Sequence, residues 1–366
     1  MRFLFLLALG FFFVQILAGG GTESAPRSLL VKPASVPKRL LVGSALVGAG
    51  VLGKRLYDGP VFNEPVDLSG KVIAITGANT GLGKESALKL ASLGAELILL
   101  CRNEAKAQSA VADIIAKTGN KNVRFVKLDL EDLSSVSRAA DELKKTLGRL
   151  DVLQLNSGVM ALPVREVTKD GFEKHIGINH LGHFALTKEL WPLLKRSASA
   201  RVVTVSSSAH LLGKIDRNNL MLEGDSYAPW LQYGNSKLAN ILFCRELSRR
   251  LAASGNPKQI VSVCLHPGAC RTELGRYIFD PASIPPLLMP LVGVVAAPAI
   301  YLTKSAYMGS QTQSFLSASS KISPSMNGVF FDNSRPADTS AEAKDSEQAQ
   351  WLWKESERLV GGSFDV

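Results

Sequence analysis

The chain has few cysteines, and their arrangement excludes two classes of protein. Four occur among 366 residues, namely Cys101, Cys244, Cys264 and Cys270. No two of them form a C-x-x-C pair, so neither a disulfide-stabilised scaffold nor a zinc site is predicted. The chain also lacks any Asn-x-Ser/Thr acceptor for N-glycosylation. Both absences favour a catalytic unit in a reducing, cytosolic environment.

Acidic residues are outnumbered, with 32 Asp and Glu against 42 Lys and Arg. The resulting net charge of +10 is scattered along the chain, and no nucleic-acid motif interleaves aromatic residues with the basic ones. Nucleic-acid binding is therefore not expected. A basic surface suits an anionic cofactor or an anionic membrane, and a hydrophobic content of 46% also indicates membrane contact.

The first 66 residues differ in composition from the rest. Residues 3–17 are almost continuously apolar, which predicts either a cleaved signal or a membrane anchor. A second apolar run at 40–53 is predicted to be interfacial or to be a partner for the first run. The segment between them is predicted to be a linker, with an organelle transit segment as the alternative. Residues 1–66 are thus predicted to form a signal or anchor region, followed by a catalytic domain at 67–366. The basic residues after the first run favour a cytosol-facing domain. We expect an endoplasmic reticulum membrane, with plastid and secretory routes left open.

From residue 67 onwards, apolar runs that predict strands alternate with segments of helical periodicity. This alternation implies an α/β fold with a single parallel sheet, doubly wound by helices on both faces. The predicted strands are 72–76, 96–101, 123–128, 151–155, 201–206 and 260–265. The predicted helices are 81–93, 104–117, 132–147, 170–194, 231–254 and one near 345–359.

A glycine-rich turn, T-G-A-N-T-G-L-G at 76–83, separates the first predicted strand from its helix. Glycines permit a tight turn and close backbone approach, and the helix N-terminus offers free N–H groups to a pyrophosphate. Three residues separate the first two glycines, unlike the common G-x-G-x-x-G. Alone, the turn also fits an ordinary strand-to-helix connection.

The end of the second predicted strand indicates which dinucleotide is bound. An NAD-preferring fold usually carries an acid there to hold the ribose 2′-hydroxyl. This chain has Arg102 and Asn103 instead, with no acid before Glu104. Because a guanidinium pairs with a 2′-phosphate, Arg102 favours NADP, although a solvated arginine at a strand end is the simpler alternative.

Tyr233 and Lys237 stand four residues apart and share a face of their predicted helix. A nearby ammonium is expected to lower the pKa of the phenol, so that Tyr233 exchanges a proton with a substrate oxygen. A hydroxyl of Ser206, Ser207 or Ser208, just after a strand, could bind the same oxygen. Tyr-x-x-x-Lys alone is a weak signal.

Taken together, these residues resemble the short-chain dehydrogenase/reductase family over about 68–361, most closely its retinol-dehydrogenase-like branch. The segments that carry the resemblance are T-G-A-N-T-G-L-G (76–83), L-D-L (128–130), N-S-G (156–158), I-N-H-L-G-H-F (178–184), V-S-S-S-A-H (205–210), Y-G-N-S-K (233–237), H-P-G-A-C-R-T (266–272) and the tail at 328–361. The resemblance implies a Rossmann fold with a catalytic set of Asn179, Ser207, Tyr233 and Lys237.

The roles that the resemblance implies are specific. Tyr233 is the general acid/base, Lys237 holds the nicotinamide ribose and lowers the pKa of Tyr233, Ser207 orients the carbonyl, and Asn179 positions a relay water. Ser208 is the alternative to Ser207. The cofactor-binding residues expected for NADP(H) are Gly77, Asn79, Thr80, Gly81, Leu82, Gly83, Arg102, Asn103, Asp129, Leu130, Asn156, Tyr233, Lys237, Pro267 and Thr272.

Two departures and one coincidence accompany the resemblance. The family commonly has N-N-A-G where this chain has Leu155 followed by N-S-G, and Cys270 replaces a branched apolar residue. We expect Cys270 to pack rather than to react. His175, His180 and His183 fall within one predicted helix, but no third ligand has suitable spacing, so no metal is expected.

An apolar, proline-containing segment at 284–302 occupies the position of the family's substrate lid. It suits a lipophilic substrate such as a retinoid, a steroid or a long-chain aldehyde, although packing alone explains it equally well. We therefore expect an NADP(H)-dependent enzyme that interconverts a lipophilic carbonyl and its alcohol. A protochlorophyllide-reductase-like plastid enzyme and a non-catalytic, cofactor-sensing membrane scaffold are the alternatives. The resemblance also leaves room for a homodimer.

Overall fold

Parallel strands form the centre of this protein, as the alternating pattern predicts. The computed structural model describes residues 52–255, 259–272 and 303–366. Within these ranges one eight-stranded sheet has the order β3-β2-β1-β4-β5-β6-β7-β8, and every pairing is parallel except that of β7 with β8. The strands are β1 (Val72–Thr76), β2 (Glu96–Cys101), β3 (Val123–Lys127), β4 (Val152–Leu155), β5 (Arg201–Val205), β6 (Val261–His266), β7 (Phe330–Asp332) and β8 (Arg335–Pro336).

Helices cover both faces of the sheet, which confirms the doubly wound α/β fold. Side chains alternate along each strand, so Ile73 and Ile75 join one apolar cluster whereas Ala74 joins the other. Three helices, α1, α2 and α6, contribute to the first cluster, and α3, α4, α5 and α7 contribute to the second. The helices are α1 (Gly81–Ser92), α2 (Glu104–Thr118), α3 (Leu133–Thr146), α4 (Gly182–Arg196), α5 (Pro229–Ala253), α6 (Ala306–Ala318) and α7 (Ser346–Val360).

The strand order reverses between β1 and β4, and this reversal positions the site. Chain connections leave β1 and β4 in opposite directions across the sheet, so a crevice opens beyond their carboxyl ends at Thr76 and Leu155. The residues after both strands, and those after β2 and β3, therefore face the same space.

Helix α6 and strands β7 and β8 are absent from the sequence prediction, which was wrong to treat this part as irregular. α6 is rich in Ser, Gln and Thr and presents no apolar stripe, yet most of it is buried against α1. Several of its polar groups have buried partners; Gln313 Nε2 donates to the carbonyl of Leu82 at 3.1 Å, whereas Gln313 Oε1 has no hydrogen-bond partner among the described residues. β7 and β8 have only three and two residues, too few to show a period.

The predicted helix 170–194 is wrong at its start. Gly171 has φ +86°, and the chain becomes helical only at Lys174–Ile176. The Glu173 carboxylate caps that turn by accepting from the backbone N–H groups of His175 and Ile176. A π-helical segment, Gly177–Leu181, follows and leads into α4.

Residues ahead of the first strand also pack on this unit. Residues 52–58 are helical, the Phe62 ring meets the edge of Phe315 at 5.9 Å, and Glu64 accepts hydrogen bonds from Ser319 and Ser320. Among the described residues, no helix combines the length and the apolar character needed to cross a bilayer. The predicted apolar run at 3–17 and the predicted lid at 284–302 lie outside the described residues.

Candidate active site

The glycine turn forms a backbone cradle that side chains would fill. Gly77 has φ +66°, and a Cβ built on it would lie 2.6 Å from Ser157 Oγ. A Cβ on Gly83 would lie 2.5 Å from the carbonyl oxygen of Gly77. These positions therefore require glycine, and the N-terminus of α1 opens directly into the crevice. An anionic pyrophosphate fits this arrangement of small residues and free N–H groups.

Thr76 joins the ends of β1 and β4. Its Oγ1 accepts from the backbone N–H of Asn156 at 2.8 Å and from that of Ser157 at 2.9 Å. The Asn156 side chain donates in turn to the Thr76 carbonyl at 2.8 Å. The remaining Asn of the N-S-G segment thus closes the floor of the crevice. The Leu155 that precedes it is fully buried in the core.

A cavity of about 360 Å³ follows the crevice from the glycine turn to the end of β2. Arg102 and Asp129 lie at that far end, and Thr272 closes the opposite wall over the turn. Eleven of the predicted cofactor residues line the cavity: Gly77, Asn79, Thr80, Gly81, Leu82, Arg102, Asn103, Asp129, Leu130, Asn156 and Thr272. Gly83, Tyr233, Lys237 and Pro267 are not part of its lining.

Two of the lining residues also form hydrogen bonds that stabilise the neighbouring backbone. Asn103 is the N-cap of α2, where its Oδ1 accepts from the backbone N–H of Lys106 at 2.9 Å. The Asp129 carboxylate accepts from the backbone N–H of Glu131 at 3.0 Å. Arg102 is 61% exposed, and its guanidinium forms an ion pair with Glu131.

Tyr233 lies on α5 at the other end of the crevice, and only 4% of it is exposed. Burial raises the pKa of its phenol to about 12, although a hydrogen bond with the Ser207 side chain acts in the opposite direction. The expected lowering of this pKa is therefore wrong, because desolvation raises it and Lys237 is not among the groups that act against that rise. The phenol is held in its protonated form.

Lys237 is fully desolvated one turn further along α5. Its Nζ lies 5.7 Å from the centroid of the Tyr233 ring and donates to the carbonyl of Val205 at 3.3 Å. Burial lowers the pKa of this amine to about 8. The ammonium therefore persists at neutral pH but is within reach of titration.

Of the three consecutive serines, Ser207 is the one that bonds with Tyr233. Ser206 is buried, and its hydroxyl donates to the carbonyl of Lys237 at 2.7 Å. Ser208 is exposed, and its backbone N–H donates to His266 Nδ1 at 3.0 Å. The side chain chosen from the resemblance, Ser207, thus faces Tyr233.

Asn179 lies in the π-helical segment and is fully buried. Its amide bonds both backbone groups of Val159, at 2.8 and 3.0 Å, and also donates to Ser236 Oγ at 2.8 Å. Because Ser236 sits between Tyr233 and Lys237, Asn179 ties the loop after β4 to the Tyr–Lys turn of α5. These contacts bring all four predicted catalytic residues into one region.

Sequence reasoning missed a second layer of residues. His183 Nδ1 donates to the carbonyl of Asn179 at 3.0 Å, so its Nε2 accepts from Thr76 Oγ1 at 2.9 Å. Burial lowers the pKa of His183 to about 3. His266 is neutral as well, since burial lowers its pKa to about 4, and its Nδ1 accepts from the backbone N–H of Ser208. The repeated histidines of N-H-L-G-H-F are the signal that could have pointed to this layer.

Two aromatic rings flank Tyr233. Trp230 stands one turn earlier on α5, 6.2 Å away edge-on and 45% exposed, and His175 is 6.2 Å away on the buried side. His175 in turn bonds the fully buried Glu173 at 2.7 Å. Burial raises the pKa of the Cys270 thiol to about 11, which disfavours reaction. In the described part of the chain, no group of three or more His, Cys, Asp or Glu side chains could hold a metal ion.

The family described as short chain dehydrogenase matches residues 71–282 of this chain. The chain belongs to the short-chain dehydrogenases. Human retinol dehydrogenase 13 is 38% identical, with 86% of this chain and 92% of that protein covered. Human retinol dehydrogenase 12 is 39% identical, with 84% and 92% covered. The resemblance to the retinol-dehydrogenase-like branch is thereby confirmed.

Solved structures agree with this short-chain dehydrogenase fold. An uncharacterised protein from Mycobacterium paratuberculosis aligns with a TM-score of 0.66 and 34% identity, covering 84% of this chain and all of that one. A short chain dehydrogenase from Escherichia coli CFT073 in complex with NADPH aligns with a TM-score of 0.53 and 25% identity, covering 75% and 100%. The protein is therefore an oxidoreductase with a nicotinamide-cofactor fold.

Proposed function

We propose that this protein is an NADP(H)-dependent oxidoreductase that interconverts a lipophilic carbonyl compound and its alcohol. The observation that carries the proposal is that the buried Tyr233 phenol faces Ser207, with Lys237 on the next turn of α5 and Asn179 bonded to Ser236 between them. The glycine cradle and the crevice beyond β1 and β4 fit a dinucleotide whose nicotinamide, when bound, supplies or accepts a hydride.

The proton chemistry belongs to Tyr233. A phenol with a pKa of about 12 remains protonated at neutral pH, so it is suited to donate its proton to the oxygen of a carbonyl that is being reduced. Ser207 bonds the same phenol and can donate to the same substrate oxygen. The Lys237 ammonium stabilises the phenolate that remains, since opposite charges attract strongly in a desolvated site. Carbonyl reduction is the direction that these protonation states favour.

Arg102 supports the choice of NADP(H). Its exposed guanidinium stands at the end of the cavity remote from Tyr233, beside Asn103 and Lys106. The position that holds an acid in NAD-preferring folds is thus cationic. The Escherichia coli CFT073 relative was crystallised with NADPH, which is consistent with the same preference here.

Apolar side chains support a lipophilic substrate. Trp230, Leu211 and Leu212 are exposed by 45%, 63% and 46%, and they lie on the segments that carry Tyr233 and Ser207. Exposed apolar groups close to buried catalytic groups are characteristic of a site for an apolar ligand. The names of the retinol dehydrogenase relatives suggest a retinoid, with steroid ketones and long-chain aldehydes as further members of the class.

Membrane association is part of the proposal. Leu52 and Leu56 lie four residues apart in the helical stretch 52–58 and are exposed by 59% and 72%. Arg55 is exposed beside them, and the apolar run at 40–53 overlaps the first two residues of the stretch. An endoplasmic reticulum membrane with the catalytic domain facing the cytosol remains our expectation. The comparisons favour neither the plastid-enzyme nor the scaffold alternative.

Replacement of Tyr233 tests the mechanism. We expect Tyr233→Phe to lower kcat by about 10²- to 10⁴-fold, the usual contribution of a positioned general acid, with NADPH affinity nearly unchanged. The assay is NADPH oxidation by the membrane-reconstituted full-length protein with retinal, steroid ketones and fatty aldehydes, alongside NADPH titration by fluorescence. Tyr227→Phe is the matched control, because that phenol bonds the Leu162 carbonyl at 2.8 Å and not Ser207.

The rates of the two variants and the range of substrates turned over test different parts of the proposed function. Activity of Tyr233→Phe above a tenth of the wild-type rate would contradict the acid role. Equal losses in both variants would indicate a general disturbance of the site. Turnover of small hydrophilic ketones alone would refute the lipophilic substrate class.

A further inference from the structure

Glu131 is an acidic residue at the end of the cofactor cavity where the sequence predicts the cation Arg102. It follows Asp129 and Leu130, on the connection from β3 to α3, and lines the same cavity as Arg102. Its backbone is held on both sides: the N–H donates to Asp129 Oδ1 at 3.0 Å, and the carbonyl accepts from Lys169 N at 2.9 Å. The carboxylate is therefore placed by a rigid turn.

The two oxygens of this carboxylate bind different cations. Oε1 pairs with Arg102 Nη1, and Oε2 lies 3.3 Å from Lys174 Nζ. Lys174 has a second partner in Glu166, at 2.7 Å. Charge therefore alternates along the row Arg102, Glu131, Lys174, Glu166. If Arg102 moves to another anion, Glu131 still has Lys174 as a partner.

Arg102 is the group proposed above to bind a 2′-phosphate, and one of its terminal nitrogens is already bonded to Glu131. A 2′-phosphate is dianionic or nearly so, and it would need the same guanidinium. Its approach brings like charges together at the mouth of the cavity. Glu131 must then give up Arg102 or repel the phosphate.

We propose that Glu131 is a specificity-determining residue that weakens the selection of NADP over NAD. Its carboxylate competes with the 2′-phosphate for Arg102. When the phosphate binds Arg102, the carboxylate keeps Lys174 as its cationic partner. A carboxylate is also an acceptor for the ribose 2′-hydroxyl that NAD carries in place of the phosphate, which favours NAD. This inference rests on the proposed role of Arg102 and refines the cofactor preference of that same site.

The effect is limited by exposure. Arg102 is 61% exposed and Glu131 24% exposed, so water and salt screen their interaction. Removing the carboxylate charge is therefore expected to tighten NADPH binding by about three- to tenfold rather than by orders of magnitude. NADH affinity should stay the same or fall.

Equilibrium titration of the full-length protein tests the proposal without reference to turnover. Dissociation constants for NADPH and NADH are measured by protein fluorescence for the wild type, Glu131→Gln and Glu166→Gln. Glu166→Gln is the matched control, because Glu166 pairs with Lys174 but not with Arg102 in this structure. We expect the NADPH-to-NADH affinity ratio to rise about three- to tenfold in Glu131→Gln alone, and the gain to shrink in high salt.

A double variant shows whether Glu131 acts through Arg102. We expect Glu131→Gln to bring no gain in NADPH affinity when Arg102→Ala is already present. A gain that persists without Arg102, or an affinity ratio that Glu131→Gln does not raise, would overturn the inference. If Arg102→Ala alone leaves NADPH affinity unchanged, the NADP assignment itself is wrong. NADH binding by each variant verifies that its cofactor cleft is folded.

Discussion

Burial shifts the pKa values of Tyr233 and Lys237 in opposite directions, and these shifts decide which protonation state each side chain has at neutral pH. Desolvation disfavours the charged form of either group, so it raises the pKa of the phenol and lowers that of the amine. The sequence pattern predicted only the attraction between a phenolate and an ammonium. Ser207 partly offsets the rise in the pKa of Tyr233, because its side chain faces the phenol and lowers that pKa. The pair is therefore set for proton donation at neutral pH.

The pH dependence of reduction should report on Lys237. Its pKa is lowered from 10.5 to about 8, so the ammonium that stabilises the phenolate is lost as the pH rises through 8. We expect kcat/KM for carbonyl reduction to fall with a midpoint near pH 8. In Lys237→Arg the remaining activity should lack this limb, since arginine stays charged. A wild-type plateau extending to pH 10 would contradict the assignment.

At the scale of elements, helix α6 illustrates how a polar segment becomes part of the core. Gln154 in the middle of β4 is fully buried, and its Nε2 donates to Ser317 Oγ at 2.5 Å and to Ser86 Oγ at 3.0 Å. One side chain thus joins β4 to α6 and to α1, the helix that begins at the glycine turn. The polar face of α6 is compatible with burial because these partners bond several of its groups, although Gln313 Oε1 is left without one among the described residues.

Replacing Gln154 with Leu should destabilise the fold by about 1–3 kcal/mol, because two buried serine hydroxyls lose a partner. Urea unfolding of the cofactor-free protein measures the change. Gln108→Leu, at an exposed position of α2, should alter stability by less than about 0.5 kcal/mol. Equal stability of the two variants would show that the network around Gln154 contributes nothing.

At the scale of the whole molecule, neutral histidines connect elements that are distant in the sequence. His180 Nε2 bonds Ser356 of α7 at 2.8 Å, His183 bonds Thr76 at the end of β1, and His266 supports the segment after β5. Burial lowers the pKa of His180 and His183 to about 3 and that of His266 to about 4. The folded state therefore excludes protons that the unfolded chain binds.

This proton imbalance predicts acid sensitivity. An unfolded histidine titrates near 6.5, so below that pH the unfolded state binds more protons and the free energy of unfolding falls until the folded pKa is reached. We expect a loss of about 1.4 kcal/mol per pH unit for each of the three histidines as the pH falls from 6 towards 4. Denaturant titrations at several pH values measure this slope.

A histidine variant separates this effect from the titration of carboxylates. His180→Gln keeps an amide that can bond Ser356 but cannot titrate, so its slope should be smaller by about 1.4 kcal/mol per pH unit. Identical slopes for the variant and the wild type would exclude His180 as a source of acid sensitivity.

Local patterns in the sequence determined strands β1 to β6, the glycine cradle and the Tyr–Lys turn. A buried strand shows as an apolar run, a positive φ as a glycine, and a shared helix face as a four-residue spacing, and each is complete within a few residues. Membership of the short-chain dehydrogenases followed from such segments taken together. Their order along the chain also implied a parallel sheet.

The tertiary structure alone decided the features that depend on partners far away in the sequence. Desolvation, which reversed the expected pKa of Tyr233, is the sum of every element packed around it. The burial of α6 depends on Gln154, 159 residues before Gln313. The pairing of Arg102 with Glu131 joins the ends of neighbouring strands across 29 residues. The periodicity of apolar residues in the sequence does not predict these contacts, because they form only when the sheet aligns the carboxyl ends of its strands.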